Sequence, residues 1–205
     1  EYRVYGVDES EVETEGNSSI ATSLDSIGNV YEEKGKYDEA LVYYQKSLKI
    51  KYRVYGVDES EVETEGNSDI ASSLHNIGIV YEEKGNYDEA LVYYQKSLKI
   101  EYRVYGVDES EVETEGNSDI ASSLHNIGIV YEEKGNYDEA LVYYQKSLKI
   151  EYRVYGVDES EVETEGNSSI ATSLDSIGNV YEEKGKYDEA LVYYQKSLKI
   201  KYRVY

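Results

Sequence analysis

The sequence predicts an all-α chain of four helix–turn–helix repeats, and three observations carry that prediction. The first is internal repetition with a period of 50 residues: Tyr-Arg-Val-Tyr-Gly-Val-Asp recurs from Tyr2, Tyr52, Tyr102 and Tyr152, and Tyr202 begins a truncated fifth copy. The second is a pair of apolar stripes at helical spacing within each copy. The third is a glycine-centred break between the stripes. A length of 205 residues would otherwise suggest one large domain or two small ones, but a repeat of this kind overrides the length argument. One copy cannot bury its apolar face alone, so stacking of neighbours must supply the core.

In the first copy, Ile20, Leu24, Ile27, Gly28 and Tyr31 follow helical spacing, with Asn17 or Ser18 placed to cap the helix start. This predicts a first helix, helix A, at about residues 19–34. Lys34-Gly35-Lys36 makes the turn. Tyr37, Ala40, Leu41, Tyr44 and Leu48, continued by Tyr52 and Tyr55, form the stripe of helix B at about 38–55. Asp38 and Glu39 suit the positive end of its dipole, and Lys46, Lys49, Lys51 and Arg53 suit the other end. Gly56 stands where a left-handed terminating residue is expected. The chain then reads as one solenoid domain, 1–205, with repeats at 19–55, 69–105, 119–155 and 169–205. Acidic loops at 56–68, 106–118 and 156–168 join them, and 1–18 reads as the tail of a preceding helix B, Glu1–Tyr5, followed by another such loop. The start at Glu1 without Met suggests an excised fragment.

Composition narrows the function. The chain has no Cys, Pro, Met, Trp or Phe, and all its aromatic residues are tyrosine. Without Cys there are no disulfides, thiolate metal sites or thiol nucleophiles. No apolar run approaches membrane-spanning length, and no segment resembles a signal peptide. The formal charge of −22 argues against nucleic acid, whose phosphates need a basic surface. That charge is concentrated in segments like Gly6–Ser18, where Asp8, Glu9, Glu11, Glu13 and Glu15 stand without a single Lys or Arg. Four such segments hold 20 of the 43 acidic residues, which leaves the helices near neutrality.

The stripes also carry a family pattern. Leu24, Ile27, Gly28 and Tyr31 fill the W-x₂-L-G-x₂-Y part of the tetratricopeptide-repeat (TPR) signature, and Ala40 with Tyr44 fills A-x₃-F. Small residues at 28, 40 and 47 let the two helices approach closely. Leu24 replaces the first Trp of the pattern, and the closing Pro is missing near Tyr52, so helix B can run another turn. All four copies match. The stretch Ile20–Tyr31 and the Gly-Val-Asp after helix B resemble the longer repeats of kinesin light chains and their relatives, which bind cargo peptides. The resemblance implies a right-handed superhelix with a concave groove lined by helix A, a cytoplasmic protein, and a protein or peptide ligand. An inserted segment, roughly Val7–Gly16, departs from that family and could shadow the groove. The terminal repeats lack caps, which predicts end-to-end self-association.

The copies differ mainly on one helical face. Between the outer pair (copies one and four) and the inner pair, Ser19 becomes Asp69, Thr22 becomes Ser72, Asp25 becomes His75, Ser26 becomes Asn76, Asn29 becomes Ile79 and Lys36 becomes Asn86. Positions 22, 25, 26 and 29 share a face of helix A opposite the Leu24–Ile27–Tyr31 stripe. The candidate groove is therefore Thr22, Asp25 and Asn29 in the first repeat. In the second it is Ser72, His75, Asn76 and Ile79; in the third, Ser122, His125, Asn126 and Ile129; in the fourth, Thr172, Asp175 and Asn179. Drift at exposed positions would give the same pattern. With Asp, Ser, Asn, His and Ile here, no basic clamp for a terminal carboxylate is built. Asn offers both donor and acceptor to an extended backbone, and a neutral or basic partner fits better than an acidic one.

Other chemistry is set aside. His75 and His125 are the only histidines, and a shared zinc site would need Asp25 or Asp175 to help. Alternating carboxylates in the loops could draw Ca²⁺, but their spacing is not that of an EF-hand; a solvated loop, or a helical turn capped by Asp8 with Glu11 closing a capping box, accounts for them. Asn17-Ser-Ser and Asn167-Ser-Ser match glycosylation sequons, which a helix cap explains better if the protein is cytosolic. No phosphate loop, nucleophile elbow or catalytic carboxylate pair is found, so no cofactor, metal or enzymatic activity is expected. Three readings remain: a peptide-binding scaffold, a duplicated or designed array without a ligand, and an acidic, cation-responsive spacer.

Overall fold

The computed structural model describes residues 17–161 and 167–204. The expected tail of a preceding helix at 1–5, the first acidic segment with Asp8 and Glu11, and residues 162–166 of the last one lie outside the described residues. The chain divides into two compact units, Glu1–Val104 and Tyr105–Tyr205.

Among the described residues the protein is all-helical. Unit 1 holds α1 (Ser18–Glu33) and α2 (Tyr37–Tyr55), the short α3 (Val62–Glu65), then α4 (Ser68–Glu83) and α5 (Tyr87–Tyr105), whose last residue crosses the unit boundary. Unit 2 holds the short α6 (Val112–Glu115), then α7 (Ser118–Glu133), α8 (Tyr137–Val154), α9 (Ser168–Glu183) and α10 (Tyr187–Val204). The long helices form antiparallel pairs, the first of each pair carrying the groove-face positions.

The boundaries follow from local chemistry. Asn17 stays extended and its side chain accepts from the Ile20 amide, and Asn67, Asn117 and Asn167 do the same at their own helices, the hydrogen bond expected of an N-cap. At the other end Gly35 takes φ +67°, which lets the Lys36 and Gly35 amides bond back to the carbonyls of Tyr31 and Glu32. That is a Schellman ending, open to glycine because it has no Cβ to clash.

Each pair is sealed by contact of small residues with tyrosine. A Cβ on Gly78 would lie 2.7 Å from the Tyr94 ring, so α4 and α5 pack closer than any other residue would allow. Ser97, fully buried, donates to the Ala71 carbonyl at 2.8 Å and satisfies its own hydroxyl in the process. Neighbouring pairs then share a core. In unit 1, Ile70, Leu74, Ile77 and Val80 of α4 pack on Ala40, Leu41, Tyr44, Leu48 and Tyr52 of α2. Unit 2 repeats this with Ile170, Leu174, Ile177 and Val180 of α9 on Leu141, Tyr144, Leu148 and Tyr152 of α8.

Two expectations need correction. Ile27, placed in the core stripe, is 39% exposed, and Val30 is 48% exposed, although Ile77 and Val80 are fully buried. The reason is position: among the described residues no helix precedes α1 to cover this face. The acidic segments, drawn as loops between the repeats with an Asp-capped helical turn as the alternative, take the second form where they are described. Asp58 accepts from the amide and hydroxyl of Ser60 and starts a 3₁₀ turn, Glu59–Glu61, that leads into α3. Val62 of α3 is buried, a Cβ on Gly66 would meet Ile100 at 2.8 Å, and Glu63 pairs with Lys99 at 3.0 Å. The segment is thus fastened to the second helix of the following pair. Unit 2 does likewise through Val112, Gly116–Ile150 and Glu113–Lys149. Burying one Val in this way is worth roughly 1.5–3 kcal/mol, which offsets the cost of ordering about one or two residues of the turn.

Candidate functional site

The candidate residues lie on the first helix of each pair. Most are not free side chains on an open surface. Thr22, Ser72, Ser122 and Thr172 are exposed and bond back to the carbonyl four residues earlier. Asn29 and Asn179 hold their side-chain amides against the hydroxyls of Tyr44 and Tyr194, at 2.6 and 2.7 Å. Ile79 is half-buried, and Ile129 packs against the unit 2 core. Asp25 and Asp175 pair with Lys51 and Lys201.

The histidines are packed side chains. The His75 ring tilts against Tyr94 at 5.0 Å, and the His125 ring against Tyr144 at 4.8 Å. Burial holds both below the ordinary imidazole range, His125 at about 4. Both rings are therefore neutral at pH 7. The nitrogens of His125 lie 3.5 Å from the hydroxyls of Ser173 and Ser176.

Beneath this face, each pair holds a polar link that the sequence reading missed. The hydroxyl of the core tyrosine donates to a carboxylate of the first helix: Tyr44 to Glu32, Tyr94 to Glu82, Tyr144 to Glu132 and Tyr194 to Glu182. Burial first, and the carboxylate second, push Tyr44 and Tyr94 well above the usual phenol range. Glu132 is raised by burial, against the opposing effect of the Tyr144 hydrogen bond.

A second group was also missed. Lys51 of α2 reaches Asp25 Oδ2 at 2.8 Å, Ser73 Oγ at 2.5 Å and the Asp69 carbonyl at 3.5 Å, so it joins α1 to α4. Glu151 occupies the corresponding place in α8 and accepts from Ser173. The signal was available in the sequence. Framed from helix A, the copies pair Asp25 with Lys51, His75 with Glu101, His125 with Glu151 and Asp175 with Lys201. Acid meets base in the outer copies, at Asp25–Lys51 and Asp175–Lys201, and in the third copy His125 and Glu151 line one cleft. Framing the period from Glu1 splits these partners into different copies and hides the exchange.

In unit 2 the structure brings Ser122, His125, Asn126 and Thr172 together with Glu151, Ser169 and Ser173 around an open cleft of about 210 Å³ between α7 and α9. Its lining contains no Lys or Arg, and α6, fastened on α8, contributes nothing to it. Among the described residues no group of three or more His, Cys, Asp or Glu could hold a metal ion, and no helix is long and apolar enough to cross a membrane.

Paired helices with a glycine–tyrosine seam, stacked through the second helix onto the next first helix, define a helical-repeat scaffold. Tetratricopeptide-repeat models match residues 119–203, and also 26–51 and 71–101, together more than half of the chain. The chain belongs to the tetratricopeptide-repeat family, whose members generally bind proteins and are typically non-catalytic. No curated protein matches its sequence. Among solved structures, BtubC (BKLC) from P. vanneervenii is similar over 92% of this chain and 66% of its own, with TM-score 0.71 and 18% identity. The nearly identical TPR-like repeats of a putative kinesin light chain from P. anserina are similar over 93% of this chain and 79% of theirs, with TM-score 0.67 and 16% identity. MamA is similar over 95% and 85%, with TM-score 0.60 and 18% identity. At such identities the likeness is one of fold, and the chain spans just under two thirds of the BtubC chain.

Proposed function

We propose that the chain is a protein- or peptide-binding scaffold whose docking surface is the face of the first helices, and that it takes a neutral or basic segment. The cleft between α7 and α9 carries this reading. Hydroxyls, an amide, an imidazole and one carboxylate line it, a set that can hydrogen-bond an extended backbone but gives an anion no counter-charge. The described acidic turn of this unit, α6, is held on α8 and does not line the cleft. The kinesin light chain likeness supports the same use, in the cytoplasm. The test is a pull-down with the intact array beside a variant in which His75, Asn76, His125 and Asn126 are all changed to Ala. A partner retained by the first and lost by the second is expected. Capture of the same proteins by both would move the reading to an architectural array.

A second surface is favoured by its own observation. On α10, Leu191, Leu198 and Tyr202 are 53%, 48% and 78% exposed, whereas their counterparts Leu141, Leu148 and Tyr152 on α8 lie at 9%, 7% and 8% beneath α9. The α9 sequence is identical to that of α1, and α8 differs from the matching stretch of α10 only at Glu151 against Lys201. The face of α10 therefore fits α1 of a second copy, whose Ile27 and Val30 are exposed. Concentration-dependent end-to-end association is expected in sedimentation, abolished by Leu198→Glu; a monomeric mass at millimolar concentration would refute it.

A further inference from the structure

The inter-pair link occurs in two electrical forms, and one of them does not balance. In unit 1 the ammonium of Lys51 sits among three oxygens, from Asp25, Ser73 and the Asp69 carbonyl, and Lys51 with Asp25 sums to zero. In unit 2 the same three places are taken by Glu151 for Lys51, His125 for Asp25, and Ser173 for Ser73. His125 is neutral at pH 7, so Glu151 carries an uncompensated charge. Ser173 donates to one of its oxygens, while Oε2, shielded from solvent, accepts no hydrogen bond among the described residues. Burial accordingly pushes the Glu151 carboxyl upward. A half-buried carboxylate without a cation costs free energy that a cation would recover.

We propose that the α7–α9 cleft is a subsite for a primary ammonium, the head of a lysine side chain in a bound segment, with Glu151 as its counter-charge. The inference rests on the groove reading above and deepens it. Unit 1 shows the chemistry within the chain itself: an ammonium on a flexible stem, held by one carboxylate, one serine hydroxyl and one backbone carbonyl. In unit 2 the carboxylate comes from the second helix of the pair, so the ammonium must arrive from outside. The cleft opens there, and its rim of Ser122, Ser169 and Thr172 offers further oxygens. A metal ion would need more ligands than this cleft groups together.

The probe is Nα-acetyl-lysine methylamide, with its Nε-acetylated form as the uncharged control. Its binding is read at the imidazole signals of His125 by NMR. The chain has only two histidines, and His75→Asn identifies which signals are which. A saturable shift with the charged probe and none with the acetylated one is expected. Glu151→Gln, which keeps the shape, should weaken the response about tenfold or more. An equal response to the acetylated probe, or one unchanged in Glu151→Gln, would overturn the subsite. An equal response to glycine methylamide, an α-ammonium on a short stem, would overturn the assignment to lysine.

A second variant guards against misfolding. His125→Asp with Glu151→Lys rewrites the link as the pair already present in copies one and four, so it folds by precedent and fills the cleft from within. A groove partner released by this double variant and by Glu151→Gln supports the subsite. A partner held by both, yet lost from the fourfold Ala variant, overturns the subsite and leaves the groove reading standing.

Discussion

Replacing Lys51 by Glu tests whether the exchange between copies is a coupled pair. Lys51 and Asp25 have side chains only 14% and 20% exposed, at 2.8 Å. Asp25 Oδ1 is buried with no hydrogen-bond partner among the described residues, so the carboxylate depends on the lysine. Breaking a buried ion pair from one side costs about 3–5 kcal/mol. The residual exposure places Lys51→Glu near the low end, about 3 kcal/mol, with like charges now adjacent. For a chain of this size that corresponds to a fall in Tm of roughly 6–12 °C if unfolding is cooperative. Adding Asp25→His recreates the pair of copies two and three; the following helix has Asp69 in its first turn here, as it has Asp119 after copy two and unlike Ser169 after copy three. The double variant should recover about 2 kcal/mol of that loss, because the like charge is gone, and stay below the parent, because the new carboxylate has no cation. With any cost of Asp25→His alone added, the coupling is about 2 kcal/mol or more. The assay is urea unfolding followed by circular dichroism on the parent, both single variants and the double. Additive losses in the double variant would refute the coupling. So would a Lys51→Glu cost below about 1 kcal/mol, which would make the exchange no more than surface drift.

Gly78→Ala should destabilise by about 1–2 kcal/mol, because overpacking against the Tyr94 ring costs about 1–3 kcal/mol and the helix preference for Ala returns up to about 1. Tyr94 cannot swing aside without giving up its 2.6 Å bond to Glu82, and a Gly78→Ala protein with raised Tm in thermal unfolding would contradict this. Stability should also fall as pH drops from 7 to 5. His125 has a folded pKa of about 4 against an unfolded value near 6.5, so the unfolded chain binds the extra proton and the loss reaches about 2 kcal/mol by pH 5. Glu151, raised by burial, works the other way and trims that loss. The gap between urea midpoints at the two pH values should narrow in His125→Asn and not vanish, because His75 is also held low by burial; an unchanged gap would show that the His125 imidazole is not a group responsible.

What the sequence made legible is what backbone rules decide locally. Asn17 and Gly35 mark the ends of α1 because an Asx cap and a left-handed glycine each need only a few neighbouring residues. The helix pair and its packing through Gly28 follow from periodicity for the same reason. In the acidic segment the Asp-capped turn was legible but its anchoring was not, because Val62, Glu63 and Gly66 meet a helix more than 30 residues later, at Lys99 and Ile100. Nor was the charged link, whose members stand at positions 25, 51 and 73 and meet only once two pairs are stacked. Tyr43 escaped for a related reason: it lies off the apolar stripe of α2, yet its ring stacks on Tyr31 at 5.3 Å. The fourteen groove candidates were found by comparing copies, and that comparison detects variation without saying what the variation answers to. The residue at 51 supplies the missing half. A repeat chain carries its own set of compared sequences, and two positions that change together among its copies point to contact when the frame keeps stacked partners in one copy. With Asp25 answered by Lys51 and His125 by Glu151, the variation at this seam is the exchange of one electrostatic solution for another. At Glu151 the second solution leaves a carboxylate with no cation beside it.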